Sequence, residues 1–174
     1  MTTASTTDPA VKVADYFTDH PRAMTMVAAR ELEMSEADVL RHLPGDQVAE
    51  LSSERFTDMM DRLSDYEKVH VIVSNAATTV EAFGQFGGFS TMGPFFNVQT
   101  KTLDMHIRHE QIAAVFSVEK PGHLDGVPTL SIQFYDHTGS SAFKVFLTFG
   151  QHDPSDKCRA WWTAFREEFA LAVD

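Results

Sequence analysis

Cysteine is nearly absent: Cys158 is the single one in 174 residues. An intrachain disulfide framework and a cysteine-based metal cluster are therefore excluded, and the pattern suits a reducing compartment. Long apolar runs are missing as well. No segment approaches the ~20 residues a membrane-spanning helix requires, and the opening MTTASTTDPAVKV has neither the basic nor the apolar region of a secretory leader. The expectation is a cytoplasmic protein with no membrane insertion. Basic charge is scarce, 14 Lys and Arg against 25 Asp and Glu for a net charge of −11, which argues against a nucleic-acid partner, because phosphate contacts need a basic patch. Gly-x-Ser-x-Gly, a phosphate-binding glycine loop and His-Glu-x-x-His are all missing. What remains is a chain long enough for one domain that buries roughly 70% of its unfolded surface.

The clearest positive signal is LSIQFYDHTGSSAFKVFLTF, Leu130 to Phe149, which reads as one β-hairpin. With His137-Thr138-Gly139-Ser140 as the loop, Asp136 opposes Ser141, Tyr135 opposes Ala142, Phe134 opposes Phe143, Gln133 opposes Lys144 and Ile132 opposes Val145. That register places Leu130, Ile132, Phe134, Phe143, Val145 and Leu147 on one face, since side chains alternate along a strand and cross-strand neighbours share a side. This face is core. The other carries Gln133, Tyr135, Lys144 and Phe146, a mixed polar and aromatic surface suited to an amphipathic ligand.

The expected architecture is α+β: N-terminal helices, a large antiparallel sheet of hairpins, and a C-terminal helix. Residues 1–9 read as a polar, disordered tail and residues 10–174 as one domain. His20-Pro21 reads as a helix start, with Met24, Val27, Ala28 and Leu32 on one stripe. Ser35 and Asp38 form a capping box for a short helix ending near His42. VAEL is a strand, and Ser53 caps a helix from Glu54 to Leu63 with Phe56, Met59, Met60 and Leu63 buried. VHVIVS, Thr78 to Phe83, Thr102 to Arg108 and Ile112 to Glu119 alternate as strands. GQFGGFSTMGPFFN, with four glycines and four phenylalanines, reads as a loop that covers something. KPGHLDGVP is a turn, and a last helix entered through Asp153-Pro154 carries Cys158, Trp161, Trp162, Phe165 and Phe169 at helical spacing.

Four segments in order, AARELEMSEADVL, VHVIVSNAATTVEAFGQF, FFNVQTKTLDMHIRHEQIAAVFSVEK and SIQFYDHTGSSAFKVFL, resemble the HemS/ChuX/HutX family between about residues 22 and 150. The resemblance implies a HemS/ChuX-like haem-binding domain, present as a single repeat that pairs into homodimers. The implied function is intracellular carriage of haem after uptake, for haem utilisation. Two alternatives stand beside it: an enzyme that opens the porphyrin with an external reductant, or a fold relative that has lost haem. Haem, a second copy, and a haem-acceptor or haem-oxygenase protein are the partners it implies.

The resemblance also implies site residues. Met105-His106-Ile107 matches a Gly-His-Ile element of the carrier branch, and Asp104 to Arg108 matches a double-repeat stretch whose arginine lines the haem pocket. Both alignments converge on His106, which becomes the candidate iron ligand, an imidazole suiting that role. Arg108 and Lys144 are candidate propionate partners. Phe95 and Phe96 are candidates for stacking on the porphyrin. His20 lies near the double-repeat branch's axial histidine but about three residues out of step. Two departures stand out: Ser74 occupies a position where carriers often have histidine, and Gly93-Pro94-Phe95-Phe96-Asn97 lacks the tyrosine of some relatives.

Overall fold

The computed structural model describes residues 8–171. The sequence assigned residues 1–9 to a tail; residues 1–7 lie outside the described part, whereas Asp8 and Pro9 open a helix, α1 (Pro9–Asp19). The Asp8 carboxylate accepts from the Ala10 amide at 2.9 Å and proline occupies the first turn, where its missing N–H costs nothing. This helix was not expected. It moves His20-Pro21 from the start of one helix to the end of another: His20 caps α1, and α2 (Thr25–Leu32) begins only after a turn, with Met24 as its N-cap. The capping box is present, the Ser35 hydroxyl accepting from the Asp38 amide at 3.1 Å to start α3 (Glu36–Arg41).

The strands β1 (Val48–Leu51), β2 (Val69–Ser74), β3 (Thr79–Gly84), β7 (Ile112–Pro121), β8 (Pro128–Asp136) and β9 (Ser141–Phe146) form one antiparallel sheet ordered β1-β7-β8-β9-β2-β3. The glycine-phenylalanine stretch is not simply a covering loop. It supplies β4 (Ser90–Met92) and β5 (Phe95–Gln99), which pair with β6 (Asp104–Ile107) as a second, three-stranded sheet. The expected helix from Glu54 is a 3₁₀ turn, Ser53–Arg55, followed by α4 (Phe56–Ser64). Ser155 caps α5 (Asp156–Phe169).

The hairpin register is nearly the expected one. Ile132–Val145, Gln133–Lys144 and Phe134–Phe143 are paired, but a bulge at Ala142 then sets Tyr135 against Ser141. An extra residue on one strand increases local twist without moving the pairs below it. Leu130, Ile132, Phe134, Phe143, Val145 and Leu147 all enter one core, shared with α4, α5 and the small sheet. Phe134 and Phe143 stack at 4.3 Å with an interplanar angle of 12°. The opposite face has a second core, in which Val13, Ala28, Ala29, Val39 and Leu40 from the N-terminal helices cover Val48, Phe116, Val118 and Tyr135. These covered residues belong to β1, β7 and β8. The helices therefore leave the β9 and β2 part of that face open.

The hairpin loop anchors the helical layer. Gly139 adopts φ +75° against the start of α3, where an added Cβ would lie 2.4 Å from the Ser35 hydroxyl oxygen, and its carbonyl accepts from the Ala37 amide at 3.1 Å. Gly139→Ala is expected to lower stability by about 1–3 kcal/mol, because both backbone strain and a steric clash act there. Gly45→Ala, whose added carbon meets nothing within 4 Å, is the control expected to be near neutral in the same urea titration.

Candidate functional site

The uncovered part of the sheet is the floor of a cleft of about 740 Å³, well inside the range of small-molecule and cofactor sites. Ile72 and Ser74 of β2, Ser131 and Gln133 of β8, and Lys144 and Phe146 of β9 form the floor. Thr25, Met26, Ala29 and Arg30 of α2 form one wall, and the β7–β8 turn, Gly122 to Asp125, faces them across the mouth. The face that alternation marked out as polar and aromatic thus lines a cavity, except Tyr135, which is fully buried under the helices.

A buried polar network sets the inner end of the cleft. Glu36, 7% exposed, accepts from Lys144 Nζ at 2.5 Å, and Lys144 is itself only 16% exposed. The Thr25 hydroxyl donates to the same Glu36 oxygen. Next to them Tyr135 donates to Gln133 Oε1 at 2.6 Å, and Gln133 Nε2 donates to the Ser131 hydroxyl at 2.9 Å. Burial, with the Glu36 carboxylate nearby, pushes the Tyr135 phenol well above its ordinary value and keeps it protonated as a donor. Lys144 is consequently committed to a protein carboxylate.

Four cations, Arg22, Arg30, Lys120 and Lys144, and three carboxylates, Glu36, Glu81 and Asp125, face the cleft. The cleft thus carries one positive charge in excess on a chain of net charge −11, and once Lys144 and Glu36 neutralise each other the surplus rests on the remaining residues. Lys120 is held down at about 8 by burial, with its ammonium 4.6 Å from the Phe17 ring centre.

The residues singled out from the sequence are not brought together. Lys144 lines the cleft. His106, Phe95 and Arg108 gather instead at the small sheet, with the His106 ring 6.2 Å from that of Phe95 and the Arg108 guanidinium 5.4 Å from the same ring. The His106 side chain is 55% exposed and does not reach the cleft. Its orientation is fixed, however. The buried Asn97 side chain donates from Nδ2 to Ser90 at 3.1 Å and offers Oδ1 to His106 Nδ1 at 2.7 Å. In the tautomer whose Nδ1 donates to Asn97, Nε2 is the nitrogen left to a metal, and the Asp104 carboxylate lies 3.8 Å from it. Phe96 is a core residue, edge-on to Phe56 at 5.3 Å, because its side chain points to the opposite side of β5 from that of Phe95. It has no surface to offer a ligand. His20 stacks near Tyr16 at 4.9 Å, off the cleft wall.

The wall residues Arg22 and Met26 went unnoticed in the sequence, Met24 was assigned to a helical stripe, and His123 was set aside with the other histidines because their spacing forms no metal site. Met24 and Met26 are large apolar side chains left 43% and 42% exposed, and only that exposure, which a helical stripe does not reveal, marks them.

Comparison with known proteins decides the family. The haem utilisation ChuX/HutX family model matches residues 49–164. The chain belongs to this family. It is 23% identical over 138 residues to the intracellular heme transport protein HutX of Vibrio cholerae, covering 78% of this chain and 70% of that one. The heme-binding protein ChuX superposes with a TM-score of 0.78 at 20% identity, covering 90% of this chain and 97% of that chain. Holo-PhuS, a heme-binding protein from Pseudomonas aeruginosa, superposes with a TM-score of 0.74 at 20% identity over 98% of this chain but 50% of that one. The α+β architecture of this family is the fold found here. No described helix is long and apolar enough to cross a membrane.

Removing Lys144 isolates a buried carboxylate, so Lys144→Met is expected to cost about 3–5 kcal/mol, and Lys144→Met with Glu36→Met to recover most of that loss in a double-mutant cycle. Lys120 gives a pH signature. Between about 8 and its ordinary value of 10.5 the unfolded chain holds a proton that the folded one lacks, so stability rises with pH across that window. Lys120→Met should flatten this rise and stabilise the protein at pH 7, as urea titrations at several pH values would show.

Proposed function

We propose that this chain binds haem and carries it inside the cell after uptake, handing it to an acceptor protein, with residues 10–174 acting as one unit. The observation that carries this reading is the cleft: large, walled by Met24, Met26, Ile72, Phe146 and Phe149, and ringed by more positive than negative charge in an acidic protein. A flat apolar dianion needs such a slot, with cations or amides for its carboxylates. Arg22, Arg30 and Lys120 fit that second role better than Lys144, which already has Glu36. The name of the Vibrio cholerae relative supports carriage within the cell.

His106, Arg108 and Phe95 join this site through a second copy of the chain. One protomer holds haem in its cleft, and its partner presents the outward-facing imidazole and guanidinium from the small sheet. Two copies of this chain together match the length of holo-PhuS, of which one copy covers 50%.

Hemin added to the apo-protein is expected to give a saturable Soret shift, with the dimer persisting on a sizing column. His106→Ala should weaken binding and alter the spectrum while leaving the melting temperature near wild type. A linear, unsaturable hemin response would contradict haem carriage. An unchanged spectrum in His106→Ala would remove that residue from the site.

A further inference from the structure

The cleft's own donor to iron is identifiable by elimination within the described residues. Of the side chains lining the cleft, one alone is an imidazole: His123, on the β7–β8 turn. We propose that His123 is the iron ligand that the cleft supplies, an assignment resting on the haem reading above.

Three observations support it. The turn fixes the backbone at position 123, on the cleft lining, while leaving the ring unengaged. Gly122 N donates to Val127 O and Gly126 N to Gly122 O, both at 2.9 Å, closing the turn on itself. Asp125 braces it from one side, accepting from the Val127 amide at 2.9 Å and from the Gln151 amide at 2.7 Å. Arg22, in the turn between α1 and α2, donates to Leu124 O at 3.4 Å. Between these fixed points, the exposed His123 ring has no hydrogen-bond partner among the described residues.

The approach of Asp125 also depends on Gly150. This residue adopts φ +74°, and an added Cβ would lie 2.8 Å from Asp125 Oδ2. A glycine in the left-handed region lets the chain after β9 close on the turn. The same neighbourhood has an apolar surface for a ring face in Phe146 and Phe149. The thioether donors there are Met24, Met26 and Met34, and imidazole is the better match for ferric iron.

The test is hemin titration of the full chain with absorbance and electron paramagnetic resonance readouts. His123→Ala should lose at least about tenfold in affinity and change the spin-state signature of the saturated complex, with an unchanged melting temperature because the ring is exposed. His123→Gly should regain the wild-type spectrum when free imidazole is added. Asp125→Ala should weaken binding yet keep the wild-type spectrum at saturation, since it loosens the turn without removing the donor. A wild-type spectrum in His123→Ala, or a spectral change confined to Met24→Leu or Met26→Leu, would overturn the assignment and pass it to another donor. Absence of any saturable Soret shift in the wild type would instead overturn the haem reading itself, and this assignment with it.

Discussion

The Glu36–Lys144 ion pair joins the two layers that make the site. It ties the first turn of α3 to the middle of β9 at the inner end of the cleft, where both side chains are largely buried. A carboxylate so placed is tolerable only if its lone pairs are satisfied, and Lys144 and Thr25 do this together. Thr25 opens α2, so one acidic side chain orients both helices against the sheet. The contact also limits how far the helices can slide. They cover β1, β7 and part of β8 and stop at Lys144, which leaves the remaining face as the cleft floor.

The sheet works because its two faces do different things. One packs onto α4, α5 and the small sheet in an apolar core containing six hydrophobic residues of the Leu130–Leu147 hairpin. The other is half covered and half open. Alternation made this legible: Phe134 and Val145 read as core, while Gln133, Lys144 and Phe146 read as a surface for something amphipathic. Two features escaped: Tyr135, read with that surface, is fully buried under the helices, and the bulge at Ala142 is hidden because a single extra residue beside a four-residue loop leaves the hydrophobic pattern of the inner pairs intact.

Other features were hidden for identifiable reasons. The first helix begins at Asp8-Pro9, where a threonine-rich composition masked a proline at the first helical position with an aspartate cap before it. Glycine abundance concealed β4 and β5, since glycines mark the turns between those short strands as well as irregular chain. The cleft itself could not be read at all, being assembled from residues 22–36, 72–81, 118–150 and no single motif. His106 was singled out by resemblance and proves to be a fixed, outward-facing imidazole on a different surface. His123 sits in a turn without periodicity, and only the folded chain brings it opposite α2.

Taken together, the layers give the cleft a sheet floor, a helical wall fixed by one ion pair, and a braced turn at its edge. Hydrogen exchange of the apo and hemin-saturated protein tests this placement most directly, since backbone amides that a ligand locks in place exchange more slowly. The account predicts slowed exchange in α2 and across residues 120–126 when hemin is added. Unchanged exchange in both segments, with protection elsewhere on the chain, would show that haem does not occupy the cleft.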